Sequence, residues 1–334
     1  MSLQNPYGYT DGSYSCFYSF VGDGEPASPE PLAVSDGQGG TYTVSQIYSF
    51  GDRLSDTGNT AALEKSLGQP TPLTVAPFSS SGSFSDGPNW VTSLAQSLGV
   101  SSSDTQVNFA YESATARAIA NPFDPNQSQT NLADLAGQIG QFEQTGNMFS
   151  PNDLVTVTFG DYDLTLPDDL PADQAVSLSV NAITAGLQQL ADLGAKHFLV
   201  ANLRFVALAP EASIPAATAA SPMDPKSLYD AFNSELSVGL ETFQASTGLD
   251  VKQLDLFSLF NDIAANPADF GFANVAQPVL LSGTAPGSTP IYNPAIDGRD
   301  PAVEHSTLFL DPFYDATTMG QTIMAQTALK TLAA

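Results

Sequence analysis

The chain is poor in the side chains that most often carry chemistry. It has one cysteine, two histidines and one tryptophan in 334 residues. The lone Cys16 excludes an internal disulfide framework and any cysteine-based metal cluster. Basic residues are scarce too: nine Lys+Arg stand against 35 Asp+Glu, a formal net charge of −26. So acidic a surface repels phosphate backbones and anionic membranes, and nucleic acid is not an expected partner. No apolar run approaches the roughly 20 residues that span a bilayer. The first thirty residues have neither a basic start nor an apolar core, so no signal peptide is expected. With only 13% charged residues, the expected surface is soluble, acidic and Lys-poor. Such surfaces are common in extracellular and high-salt proteins, which leaves an extracellular setting open.

What is present is enough for a sizeable core. Hydrophobic residues make up 42% of the chain, which supports one large domain or a domain with an appendage. Residues 1–44 stand apart, with Tyr7, Tyr9, Tyr14, Phe17, Tyr18 and Phe20 among Gly and Ser, then the stretches GEPASPEP and SDGQGG. They are expected to form an irregular extension whose aromatics dock on the domain or on a partner. From Ser45 to the end, strands and helices alternate. Short apolar runs predict strands at 45–50, 105–110, 154–159, 197–202 and 250–255. Val176, Val180, Ile183, Leu187 and Leu190 recur at helical spacing, with Asp173 near the start and Gly194 near the end. A last helix is expected over about 317–332, after DPFYDATT. Alternation of this kind predicts a three-layer α/β/α sandwich with a central parallel sheet, and ligands then bind beyond the carboxyl ends of its strands.

Four blocks follow the predicted strands or precede the last helix: Gly51-Asp52-Arg53-Leu54-Ser55-Asp56-Thr57-Gly58-Asn59, Asn108 to Thr115, Gly160-Asp161-Tyr162-Asp163 and Asp311-Pro312-Phe313-Tyr314. In this order they resemble the GDSL or SGNH serine esterases and lipases. That family opens on FGDSLSDTGN, which the chain matches at every position but the fourth. SFSDGPNWVTSLAQSLGV (83–100) and GAKHFLVANL (194–203) are similar to further family segments, so the resemblance covers about residues 45–332. It implies an SGNH-like, flavodoxin-like α/β fold and a site built from a serine nucleophile, a histidine base, an orienting aspartate and an oxyanion hole.

Carried over position by position, the resemblance also shows what is missing. Arg53 stands at the nucleophile. The family's oxyanion glycine falls at Glu112 or Ser113, its oxyanion asparagine at Tyr162, and its histidine at Tyr314, while Asp163 and Asp311 are kept. Arginine has no lone pair with which to attack a carbonyl, and tyrosine, with a pKa of roughly 10, is a poor base near neutrality. Losing one member of a triad costs several orders of magnitude in rate. The standard acyl-enzyme route is therefore closed.

Rescue by other residues has little support. Serine is usual at the position of Ser55 in the family, where it is not the nucleophile. His305 could reach the site from a loop, and His197 is expected to pack in its strand. Asp52, Asp56, Asp161, Asp163, Asp311 and Asp315 could form an oxygen site for Ca²⁺, but turn-capping and solvated carboxylates are the favoured reading, and no cofactor is expected. Arg204 occupies a spot where the family usually has proline and is expected to face solvent.

On the family's fold the replacements would converge on one cleft. Three readings then compete: a plug in which Arg53 pairs with Glu112, Asp163 or Asp311 beside Tyr162 and Tyr314; a remade pocket that grips a small anion; and new acid–base chemistry by Glu112. The favoured expectation is a catalytically inactive relative serving as a binding or assembly module. Its extension or acidic faces would meet a protein partner. A divergent ester hydrolase is the alternative.

Overall fold

A computed structural model describes residues 32–68, 73, 76–78, 81–100, 107–119, 134–165, 170–204, 224–282 and 289–334. The six aromatics singled out between Tyr7 and Phe20 lie outside these residues.

The centre is a four-stranded parallel sheet. Its strands are β3 (Ile47–Gly51), β4 (Leu154–Thr158), β5 (His197–Ala201) and β6 (Asp250–Leu254), hydrogen-bonded in that order. The register aligns Ile47 with Leu154, Leu154 with His197, and His197 with Asp250. Every residue of β3, β4 and β5 is buried, as the continuous apolar runs of a sheet covered on both faces require. Side chains alternate between the faces. Tyr48, Phe50, Val155, Val157, Phe198 and Val200 point into one core layer, and Ile47, Leu154, Leu199, Ala201 and Leu254 into the other. The predicted strand at 105–110 is described only from residue 107. It flanks β3 through a short ladder: Ser49 N donates to Val107 O, Phe109 N to Ser49 O and Tyr111 N to Gly51 O.

Helices cover both faces. Helices α3 (Leu135–Gln144), α5 (Ala172–Asp192) and α6 (Pro225–Thr247) line the first layer. Helices α2 (Trp90–Leu98), α7 (Leu256–Ala265) and α9 (Thr318–Ala333) line the second. All five residues of the predicted stripe on α5 are buried. Gly194 follows that helix at φ 106°, a left-handed stop that favours glycine. The result is a three-layer α/β/α sandwich. Shorter elements complete it: α1 (Asn59–Ser66), α4 (Asp161–Thr165), α8 (Pro301–His305) and a hairpin of β7 (Leu280–Ser282) with β8 (Ile291–Tyr292). No helix among the described residues is long and apolar enough to cross a membrane.

The end of the 1–44 segment is part of the folded unit. Strands β1 (Ala33–Ser35) and β2 (Thr41–Thr43) form an antiparallel hairpin whose Val34 and Tyr42 enter the second core layer. The Tyr42 ring stacks on His197, centroids 3.7 Å apart, and Gln38 Nε2 donates to Gly248 O at 3.0 Å. His197 Nδ1 in turn lies 2.9 Å from Asp250 Oδ2.

Candidate functional site

The site is assembled where the strands end. Gly51 closes β3 against Thr158, so tightly that a Cβ there would collide with the Thr158 hydroxyl. Gln138 fixes this point from the side, accepting from Gly51 N and donating to Gly51 O, each at 2.8 Å. Asp52 N then donates to Thr158 O at 3.0 Å, and Asp52 O accepts from Ser55 N and Asp56 N. The chain turns sharply here and throws the side chain of Arg53 across the strand ends. Asp56 ends the turn by accepting from the backbone of Gly58, Asn59 and Thr60 at the start of α1. Asn59 Nδ2 donates to Asn108 O and Ala110 O, which locks the first sequence block to the second.

Arg53 is 7% exposed and held by charge and by rings. Its Nη2 lies 3.3 Å from Glu112 Oε1, and its Nε lies 3.2 Å from Asp315 Oδ2. The guanidinium carbon sits 4.4 Å from the ring centre of Phe84 and 5.0 Å from that of Phe313. Burial opposes the charge, but Asp315 and Glu112 more than offset it, so Arg53 stays protonated. Burial also pushes the Glu112 carboxyl up to about 7, against the pull of Arg53. It holds Asp315 well above the usual carboxylate range, with Arg53 opposing and Asp311 reinforcing the shift. One guanidinium thus faces two acids, Glu112 and Asp315, which cannot both ionise cheaply in so dry a place.

The remaining sequence-predicted residues take distinct places. Asp311 is fully buried; its Oδ1 accepts from Phe313 N and Asp315 N, while its Oδ2 accepts no hydrogen bond. Tyr314 stands at φ 65°, and its ring meets Phe309 edge-on at 5.5 Å. Tyr162 is the second residue of α4, beside Arg53, and burial keeps its hydroxyl protonated far above the ordinary phenol range. Asp163 points away from Arg53. It accepts from Ala116 N and Arg117 N and lies 3.5 Å from Arg117 Nε. Of the two positions for the family's glycine, Ser113 has the glycine-favouring backbone, φ 60°.

The rescue candidates are occupied elsewhere. Ser55 is fully buried, its Oγ 2.8 Å from Thr158 Oγ1 and 3.2 Å from Trp90 Nε1. His197 opens β5, at the end of the sheet opposite Arg53, a strand length of roughly 16 Å away. His305 ends α8, exposed to solvent. Among the described residues no group of three or more His, Cys, Asp or Glu is arranged to hold a metal ion.

Beside Arg53 lies a cavity of about 40 Å³, lined by residues from the ends of all four strands and by Phe313. It lies beyond the carboxyl ends of a parallel sheet, where such folds bind ligands. Arg204 lines it, although its sequence position was expected to face solvent. The guanidinium carbon is 5.3 Å from the ring centre of Phe260, and Nη1 is buried with no hydrogen-bond partner among the described residues. Asp52, also in the lining, is pushed up to about 8 by burial, with Asp161 adding to the shift.

Residues 47–302 match the sequence model of the family described as GDSL-like Lipase/Acylhydrolase. The chain belongs to that family. Among solved structures, protein YXIM from Bacillus subtilis is similar at 11% identity and a TM-score of 0.40, over 87% of this chain and 56% of that one. This chain therefore spans little more than half the length of that structure. The aryl esterase of M. smegmatis, in its inhibitor-bound form, matches at 16% identity and a TM-score of 0.34, over 63% of this chain and 84% of that one. Est24, a carbohydrate acetylesterase from Sinorhizobium meliloti, matches at 14% identity and 0.34, over 67% and 96%. No curated protein matches the chain.

Set in the family's frame, sequence reasoning missed three features of this site. Asp315 is one of the two carboxylates that pair with Arg53, whereas the sequence offered it only as a candidate Ca²⁺ ligand. Its signal was available: it lies four residues after Asp311, in the same turn. The Phe84–Phe313 sandwich and the inward reach of Arg204 left no such trace, because each depends on how separate loops meet.

Proposed function

We propose that this protein is a non-hydrolytic member of the GDSL-like family, a binding or assembly module built on an esterase scaffold. The observation that carries the reading is the clamp on Arg53. A guanidinium at the nucleophile turn, 3.3 Å from Glu112, 3.2 Å from Asp315 and stacked between two rings, fills the place where an ester carbonyl would be attacked. It offers no nucleophile, and Tyr314 offers no base near neutrality. The packed hairpin and the acidic surface are the faces through which a protein partner would be met.

The test is a chromogenic short-chain ester assay on the full chain, expected to show no turnover above background. Turnover that disappears on Ser55→Ala or His305→Ala would overturn the reading.

One observation favours a second reading. A glutamate held near 7 suits acid–base work at neutral pH, and Glu112 is such a group. Remade chemistry would then run through Glu112, and Glu112→Gln would abolish it.

A further inference from the structure

We propose that the cavity beside Arg53 binds a small monocarboxylate, of the size of formate or acetate, through Arg204 and Tyr162. The proposal rests on the non-hydrolytic reading of the same site and names its ligand.

Two donors lack partners there. Arg204 Nη1 is buried and makes no hydrogen bond, and no carboxylate lies within ion-pair range of Arg204 among the described residues. Leaving a buried charged donor unmet is unfavourable, so an acceptor belongs beside it. Tyr162 lines the same cavity as a neutral phenol, and its hydroxyl makes no hydrogen bond among the described residues. Arg53 also lines the cavity and its Nε makes no hydrogen bond among the described residues, but its charge is already matched by Glu112 and Asp315.

Size and charge narrow the ligand. A water needs roughly 10–15 Å³ of such space, so about 40 Å³ admits a group of three or four heavy atoms. Formate and acetate fit that limit. Phe159, Leu203, Leu256 and Phe313 supply apolar wall for a methyl group. Two acids in the lining oppose a polyvalent anion. Asp161 accepts from the Tyr229 hydroxyl, and Asp52 Oδ1 accepts from Leu54 N at 3.1 Å. Phosphate, largely the singly charged dihydrogen form at pH 6, is excluded by its five heavy atoms, more than about 40 Å³ admits.

The experiment titrates the full chain at pH 6 with sodium formate, acetate, hexanoate and phosphate, against sodium chloride at matched ionic strength. Calorimetry and thermal melts are the readouts. Formate and acetate are expected to bind with dissociation constants of order 1 mM, a typical weak-ligand affinity, and to raise the melting temperature. Hexanoate should bind at least tenfold more weakly, and phosphate no better than chloride. Arg204→Met should weaken acetate about tenfold or more, the scale of one charge-assisted hydrogen bond. Tyr162→Phe should weaken it a few-fold. Acetate no better than chloride, equal affinity in Arg204→Met, or a preference for phosphate would each overturn the proposal. If Arg204→Met does not fold, the size series on the unaltered chain decides. Ester turnover alongside acetate binding would sink the non-hydrolytic reading and leave the site standing. Neither turnover nor binding would sink the site alone.

Discussion

Replacing Arg53 with methionine should destabilise the fold by an amount that depends on pH. In the native chain the guanidinium lies 3.3 Å from Glu112 and 3.2 Å from Asp315. Methionine keeps part of the volume between Phe84 and Phe313 but removes the charge. Glu112 titrates near 7 when folded, so at pH 5 it carries a proton and leaves little negative charge to strand. The loss at pH 5 is then mainly the two cation–ring contacts and imperfect packing, about 1–2 kcal/mol. At pH 8 the native Glu112 is ionised against Arg53. In the variant it must either ionise without a counter-ion or hold its proton against the pH, at about 1.4 kcal/mol per unit. Removing one partner of a buried ion pair costs about 3–5 kcal/mol, and that is the loss expected at pH 8. Urea denaturation of both proteins at the two pH values measures the difference, with unchanged m-values as the check on two-state behaviour. A loss that is equal at pH 5 and pH 8, or larger at pH 5, would refute the claim that Arg53 is held by these carboxylates.

The unaltered protein should itself lose stability as pH rises. Asp52 goes from 3.8 to about 8 on folding and Glu112 from 4.5 to about 7, so the folded chain binds their protons more tightly than the unfolded one. Their contribution is fully present below about pH 4 and is lost as pH climbs through 7 and 8. At about 1.4 kcal/mol per unit, Asp52 alone sets an upper scale of about 6 kcal/mol; Glu112, whose side chain is 26% exposed, contributes less than its shift suggests. Urea midpoints from pH 5 to 9 should fall, and a flat or rising series would contradict the burial of these acids. Separately, Tyr42→Ala should cost about 3–5 kcal/mol through lost core packing. It should also speed hydrogen exchange in residues 33–43; unchanged exchange would mean the hairpin does not depend on the stack over His197.

Most of the fold was legible because it rests on short-range pattern. The runs at 154–159 and 197–202 read as strands, and both match observed strands to within a residue. The stripe from Val176 to Leu190 shows the buried face of its helix directly. Residues 33–43 gave no such signal: β1 and β2 have three residues each, too short for a period to show, and what orders them is the distant His197. The site divides in the same way. The turn at Arg53 was legible because Gly51 and Asp52 shape it locally. Of the two partners of Arg53, Glu112 was named from the sequence and Asp315 was not, since only the loop geometry separates Asp315 from Asp163 and Asp311. A buried arginine announces that carboxylates must be near it, but not the full set.

Putting serine back at 53 and histidine at 314 should not restore hydrolysis. Two parts of the machinery would return. Asp311 is still in place, with an Oδ2 that accepts no hydrogen bond, and the left-handed backbone at 314 is one that histidine tolerates. The obstacle is the surroundings. By the sequence resemblance, Tyr162 takes the position of the family's side-chain oxyanion donor, and loss of one such donor costs about 10²–10³ in rate. More serious, the double change removes the cation that pairs with Glu112 and Asp315, and both then face the region where negative charge must develop. A tetrahedral oxyanion beside two carboxylates is opposed by the same field that an oxyanion hole exists to supply with the other sign. The double variant Arg53→Ser/Tyr314→His is therefore expected to show no ester turnover above background. Adding Glu112→Gly and Tyr162→Asn should be needed before any appears. Clear turnover by the double variant, lost again when the new histidine is changed to alanine, would show that Glu112 and Asp315 do not govern the electrostatics of this site.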